Sequence, residues 1–257
     1  MSERDPSLRG SPGAPRPEEI LHLAGLRVVA VGAPAGARLA VVILHGMSME
    51  PSDLSPFAHS LGIPAWILLP EGPVVAPSRG RAWWDVDAER RAAALARGPR
   101  DLAGEHPAGR PAARACLAAL LAEVSRLSPG LPLIVIGFSQ GGMLACDTLL
   151  HAADDGWTMP PPACLMLLSS SRIAFDEWSG RTDPLRGLPV LVSHGRFDAD
   201  LAFSAGEALR DALAAGGAQV TWVPFDGAHE IPLVVWRQIR KLSLRFAAPV
   251  LCASRGG

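Results

Sequence analysis

Leu131-Pro132-Leu133-Ile134-Val135-Ile136-Gly137-Phe138-Ser139-Gln140-Gly141-Gly142 is the stretch that decides the architecture. Its first half is a short apolar run, consistent with a buried strand bounded by turn residues. Its second half is a Gly-x-Ser-x-Gly, and the residues after it, Gly142-Met-Leu-Ala-Cys-Asp-Thr-Leu-Leu-His151, read as a helix. A serine turned sharply between strand and helix needs glycine neighbours, because a β-carbon there would clash. The turn lifts the hydroxyl clear of the sheet and aims the next backbone N–H, that of Gln140, into the same space. One segment thus offers a candidate nucleophile, Ser139, and one donor for a developing oxyanion. The competing reading is a phosphate-binding glycine loop. No Gly-Lys-Ser/Thr follows, and the dinucleotide spacing Gly-x-Gly-x-x-Gly is absent.

On either side of this segment, short apolar runs alternate with helix-like stretches. Trp66–Leu69, Leu133–Ile136, Cys164–Leu168, Val190–Ser193 and Val220–Val223 read as strands, and Ala112–Arg126, Gly142–Ala152, Phe203–Ala215 and Ile231–Phe246 as helices. Leu26–Val31 and Leu39–Leu44 flank a Gly/Pro/Ala turn and read as an initial hairpin. Alternation of this kind predicts an α/β fold with a mostly parallel central sheet and helices on both faces. Residues 1–18 are polar and rich in Pro, Arg and Gly, so they are expected to be disordered or loosely packed, with residues 19–257 forming a single domain. Arg97–Arg110 is a long irregular stretch. It reads either as a lid or entrance wall, or as a surface connection between two helices.

Composition narrows the function classes. A net charge of −1 gives no reason to expect nucleic acid or an anionic membrane surface as partner. No run reaches the roughly 18 apolar residues of a membrane span, and the polar start Met-Ser-Glu-Arg-Asp-Pro-Ser has no apolar core of a signal peptide. A cytoplasmic protein without stable membrane insertion is the expectation. Cys116, Cys146, Cys164 and Cys252 form no Cys-x-x-Cys and read as free thiols. His229-Glu230 lacks the second histidine of a His-Glu-x-x-His, so no metal site and no cofactor are expected.

A serine hydroxyl needs a base to take its proton and an acid to hold that base in the right tautomer. In a doubly wound sheet these groups belong on loops at the carboxyl ends of later strands, in the order serine, acid, histidine. After the strand ending at Ser193 comes His194-Gly-Arg-Phe-Asp198-Ala-Asp200, and Asp198 is the best-placed acid. Asp200 is the alternative, or a cap for the helix from Phe203. After the strand ending near Phe225 comes Asp226-Gly-Ala-His229, and His229 is the best-placed base. Upstream, Leu44-His45-Gly46-Met47-Ser48 follows a strand, and the Met47 N–H is the candidate second oxyanion donor. His45 reads as structural, hydrogen-bonding that loop.

These residues together resemble the phospholipase/carboxylesterase family of α/β-hydrolases, which includes the acyl-protein thioesterases. The matching pieces are Leu44-His45-Gly46, Arg81-Ala82-Trp83-Trp84-Asp85, Gly137-Phe138-Ser139-Gln140-Gly141-Gly142, His194-Gly195-Arg196-Phe197-Asp198 and Gly227-Ala228-His229-Glu230-Ile231-Pro232. The resemblance implies an α/β-hydrolase fold, a Ser139–Asp198–His229 triad, and hydrolysis of an ester or thioester through an acyl-enzyme. Because family members often form dimers, it also makes a homodimer an expectation. Two departures touch the walls of the site. Ser48 stands where many members have a second glycine, and Ala199-Asp-Leu-Ala-Phe203 replaces a Val-Pro-like segment. Trp83 and Trp84 are candidates for the acyl-binding side of the pocket; alternatively, one belongs to the core and the other shields a loop. A carboxylesterase is the first reading. A thioesterase or lysophospholipase for longer acyl chains is the alternative, and a non-catalytic binding protein of the same fold is the distant one.

Overall fold

A computed structural model describes residues 17–157 and 161–247. The chain opens with strands β1 (Glu18–Leu23), β2 (Leu26–Val31) and β3 (Leu39–Leu44), then helix α1 (Pro51–Ser60), β4 (Ala65–Pro70) and a small pair, β5 (Val74–Val75) and β6 (Arg81–Ala82). Helices α2 (Ala88–Leu95) and α3 (Arg110–Leu127) follow, then β7 (Leu133–Phe138), α4 (Gln140–His151) and β8 (Cys164–Leu168). A short helix α5 (Phe175–Trp178), β9 (Pro189–Gly195), α6 (Phe203–Ala215), β10 (Gln219–Phe225) and α7 (Leu233–Ala247) complete the described chain.

Eight strands form one sheet in the order β1-β2-β4-β3-β7-β8-β9-β10. From β4 to β10 every pairing is parallel, while β1 and β2 are antiparallel additions. A mostly parallel sheet must be covered on both faces, and alternate residues of its strands serve the two sides. Ala40, Val42 and Leu44 of β3 join Leu117 and Leu120 of α3 and Leu144 of α4, whereas Leu39, Val41 and Ile43 join Leu54 of α1 and Ile239 of α7. The fold is the α/β-hydrolase fold, as expected.

The hairpin expected between Leu26–Val31 and Leu39–Leu44 does not form. The β2 strand instead pairs with β1 around Ala24-Gly25, both at positive φ, and β4 lies between β2 and β3. Parallel pairing of β3 with β4, which completes the covered core, outweighs closure of a short local hairpin. The expectation for residues 1–18 falls outside the described residues up to position 16, and Glu18 is already the first residue of β1. Cys116, Cys146 and Cys164 are free, and Cys252 lies outside the described residues. Burial pushes the Cys164 thiol up to about 12, so it has no tendency to ionise at neutral pH. Among the described residues, no helix is long and apolar enough to cross a membrane.

Candidate active site

The loops that follow β3, β7, β9 and β10 carry Met47, Ser139, Asp198 and His229, all at the carboxyl edge of the parallel sheet. Ser139 joins β7 to α4 at φ 52° and ψ −118°. A non-glycine residue there costs of order 1–3 kcal/mol, so its surroundings must enforce it. The Ser139 N–H donates to the Leu168 carbonyl at 2.8 Å, and the Ser170 hydroxyl donates to the Ser139 carbonyl at 2.9 Å. The flanking glycines, by contrast, have no positive φ. They are required for space: a β-carbon on Gly137 would meet the backbone of Gly141 and Gly142, and one on Gly142 would meet the Ser170 hydroxyl.

His229 and Asp198 meet directly. His229 Nδ1 lies 2.6 Å from Asp198 Oδ2, a distance that suits Nδ1–H donating to a carboxylate. The Phe138 and His229 rings lie 4.9 Å apart, which brings the imidazole beside the residue preceding Ser139. The other Asp198 oxygen accepts the Asp200 N–H at 2.8 Å and the Leu201 N–H at 2.9 Å. Burial alone would raise the Asp198 pKa. Hydrogen bonds from His194 and His229 outweigh it, with help from the His229 charge and the Leu201 N–H, and hold the carboxyl well below its usual range. Asp200, the alternative acid, is paired instead with Arg91 and Arg100. Burial opposes its ionisation, and the two guanidinium groups, Arg100 foremost, outweigh that and lower its pKa.

The side that carries Met47, the candidate oxyanion donor, is built from neutral groups. His45 is fully buried; its Nδ1 donates to the Gly46 carbonyl at 2.7 Å, and its Nε2 accepts the Gly72 N–H at 2.9 Å. Accepting at Nε2 needs the neutral imidazole, and burial lowers the His45 pKa, outweighing the Gly46 carbonyl, which favours the protonated ring. Ser48 occupies the left-handed region at φ 65°, a conformation a glycine adopts freely. Its N–H donates to the Arg81 carbonyl at 2.9 Å, and its hydroxyl lies 3.1 Å from that of Ser78. The N–H groups of Met47 and Gln140 have no backbone acceptor among the described residues.

Met47, Ser139, Gln140 and His229 line one cavity of about 1260 Å³. One wall is apolar, with Met49, Leu54, Phe57 and Ile231; another comprises α2 and the 97–110 stretch. That stretch is a stitched wall of the cavity. Arg100 pairs its N–H and carbonyl with Asp200 O and Ala202 N at 3.0 and 2.9 Å, and Ala103 and Glu105 carbonyls accept from Phe175 and Ala174 at 2.8 and 2.9 Å.

Of the two tryptophans, only Trp84 lines the cavity. Trp83 does not border it as a pocket residue would: it is the member of the pair that belongs to the core, 1% exposed, with its ring stacked on His45 at 5.1 Å. Sequence reading also missed the buried run Ser169-Ser170-Ser171 after β8. Ser170 holds the Ser139 carbonyl, Ser171 accepts the Leu102 N–H at 3.2 Å, and Ser169 reaches the Glu230 carbonyl at 3.4 Å. Three consecutive polar residues directly after an apolar strand were the available signal. Among the described residues, no group of three or more His, Cys, Asp or Glu is arranged to hold a metal ion.

Comparison with known proteins agrees with this geometry at the level of fold and family. Residues 112–242, just over half of the chain, match the model of the phospholipase/carboxylesterase family. The fold is similar to that of esterase PE8, with a TM-score of 0.69 at 23% identity over 86% of this chain and 99% of that one. It is also similar to Zea mays acyl-protein thioesterase 2 (TM-score 0.65, 21% identity, 86% and 99% covered). A carboxylesterase from Mesorhizobium loti aligns with a TM-score of 0.68 at 18% identity, over 88% of this chain and 98% of that one. No curated protein matches the sequence significantly.

Proposed function

Because this chain belongs to the phospholipase/carboxylesterase family of serine hydrolases acting on ester bonds, we propose that it is a carboxylesterase working through Ser139, His229 and Asp198. The observation that carries this reading is the 2.6 Å contact between His229 and Asp198, with His229 and Ser139 lining the same cavity. In the proposed cycle His229 Nε2 takes the proton of the Ser139 hydroxyl as its oxygen attacks the ester carbonyl. The negative oxygen of the tetrahedral intermediate accepts from the Met47 and Gln140 N–H groups. Asp198 keeps His229 in the Nδ1–H tautomer and stabilises the imidazolium. The imidazolium then protonates the departing alkoxide, leaving an ester on Ser139. Water, deprotonated by His229, attacks that ester and releases the carboxylic acid.

A second reading, a thioesterase or lysophospholipase for longer acyl chains, draws on one specific feature. The cavity exceeds the roughly 300–1,000 Å³ of common ligand pockets, and Met49, Leu54, Phe57 and Ile231 give it an apolar wall. Hydrolysis of p-nitrophenyl esters from acetate to palmitate, wild type beside Ser139→Ala, tests both readings. Serine-dependent turnover highest on short chains supports the carboxylesterase. A maximum on long chains favours the second reading, and turnover retained by Ser139→Ala contradicts both. Trp84→Ala is expected to broaden the chain-length preference, because Trp84 borders the cavity.

A further inference from the structure

Trp83 lies behind the cavity rather than in it, yet with the Gln140 side chain it joins the two segments that carry the candidate oxyanion donors. The Trp83 indole N–H donates to the His45 carbonyl at 2.9 Å. Its ring stacks on the His45 imidazole, whose Nδ1–H holds the Gly46 carbonyl, the one bonded to the Met47 nitrogen. On the other side, Gln140 Oε1 accepts the Trp83 N–H at 2.9 Å, and Gln140 Nε2 donates to the Trp84 carbonyl at 3.1 Å. All these groups are buried, where a misplaced polar atom is costly and a satisfied network is stiff. Gly141 closes the arrangement: a β-carbon there would stand 2.6 Å from both the Leu44 and the His45 carbonyl.

We infer that Trp83 is a positioning residue of the oxyanion hole, working as one unit with the Gln140 side chain to set the separation of the Met47 and Gln140 N–H groups. Two stretches 57 residues apart in sequence, Trp83-Trp84 and Ser139-Gln140, are thereby one device. The residue after the elbow serine has two tasks: its backbone N–H is the candidate oxyanion donor, and its side-chain amide reads the backbone of the tryptophan pair. A glutamine suits the second task because it offers one acceptor and one donor on a single planar group.

The inference rests on the proposed reading of Ser139 and is tested apart from it. Trp83→Phe keeps a ring against His45 but has no indole N–H. Gln140→Met keeps the length of the side chain and loses both of its bonds. Sites competent to react are first counted with a fluorophosphonate, and kcat and KM are then measured per reactive site on the best p-nitrophenyl ester. A misplacement of about 1 Å in a reacting geometry costs on the order of 100-fold, so kcat is expected to fall between about 10- and 100-fold in each variant with KM changed less than about twofold. Affinity for a trifluoromethyl ketone, which places a tetrahedral oxyanion in the hole, is expected to fall in parallel with kcat. The double variant is expected to be little worse than the poorer single one, since both act on one unit. Unchanged kcat per reactive site in either soluble variant overturns the inference, as does a loss that appears only in the reactive-site count or thermal midpoint. If Trp83→Phe does not fold, Gln140→Met decides alone. Turnover retained by Ser139→Ala would instead sink the underlying reading.

Discussion

The two sides of the candidate site are held by different physics. On the oxyanion side, His45, Trp83 and Gln140 are buried and uncharged, and their hydrogen bonds run between neutral groups. On the acid side, Asp198 and Asp200 sit two residues apart as carboxylates, one served by two histidines and the other by two arginines. The neutral side relies on fit: little space is available, and small displacements break several bonds. The charged side relies on compensation, so it should answer to loss of a charge. A single fold thus places buried neutral groups and compensated charged groups around one cavity.

The largest expected effect lies on the charged side. Asp198→Asn should lower kcat by about 10³–10⁴-fold by losing the tautomer and charge control of His229, measured on the ester that wild type prefers. Asp200→Asn is the matched comparison. It leaves Arg91 and Arg100 without a shared carboxylate and should lower thermal stability more than turnover. Equal losses of turnover in the two variants would erase the distinction between them. Next in size is a steric test of the neutral side. Gly142→Ala forces a methyl group onto the Ser170 hydroxyl and should cost about 1–3 kcal/mol by denaturant unfolding.

Acidification should separate the sides again. Burial lowers the His45 pKa in the folded protein, while the unfolded chain takes up that proton near the ordinary value of about 6.5. Its contribution to stability is therefore whole above about pH 6.5 and shrinks as pH falls below it. The depressed carboxyl groups of Asp198 and Asp200 act lower. Their contribution is whole above the unfolded carboxylate value of about 3.9 and is lost as pH falls toward the folded values. Unfolding free energy measured from pH 7 to pH 4.5 should therefore fall in wild type and fall less steeply in His45→Gln. Identical slopes would remove His45 from the account. The smallest effect is expected at Gly104, in the cavity wall, where an added β-carbon meets nothing within 4 Å. Gly104→Ala should change stability by no more than about 0.5 kcal/mol.

What could be read from the sequence follows the range of the interactions. The elbow is local: a strand, Gly137 to Gly142 and a helix are contiguous, so Ser139 and the Gln140 N–H were both visible. Asp198 and His229 were visible because each follows a strand in the expected chain order, and the structure brings these two into contact. Strand order was not local. The sequence spacing between Leu26–Val31 and Leu39–Leu44 suggests a hairpin, but it carries no information about β4 arriving between them. Trp83 and Trp84 look alike as neighbouring aromatics. Only the contacts with His45 and Gln140, formed across many residues of chain, separate the buried brace from the cavity wall. Helix α1 had a legible start, since Glu50 N–H donates to Asp53 at 2.9 Å with Pro51 opening the helix. Pro56 interrupts the apolar pattern there and masks the helix in the sequence.

The most direct test of the central claim is where an electrophile reacts. Wild type, Ser139→Ala and Asp198→Asn would each be treated with a fluorophosphonate and digested, and the modified peptide identified by mass spectrometry. The expected result is one phosphonylated residue, Ser139, formed quickly in wild type, slowly in Asp198→Asn and not at all in Ser139→Ala. Labelling at another residue, or undiminished labelling of Ser139→Ala, would contradict the assignment of Ser139 as nucleophile.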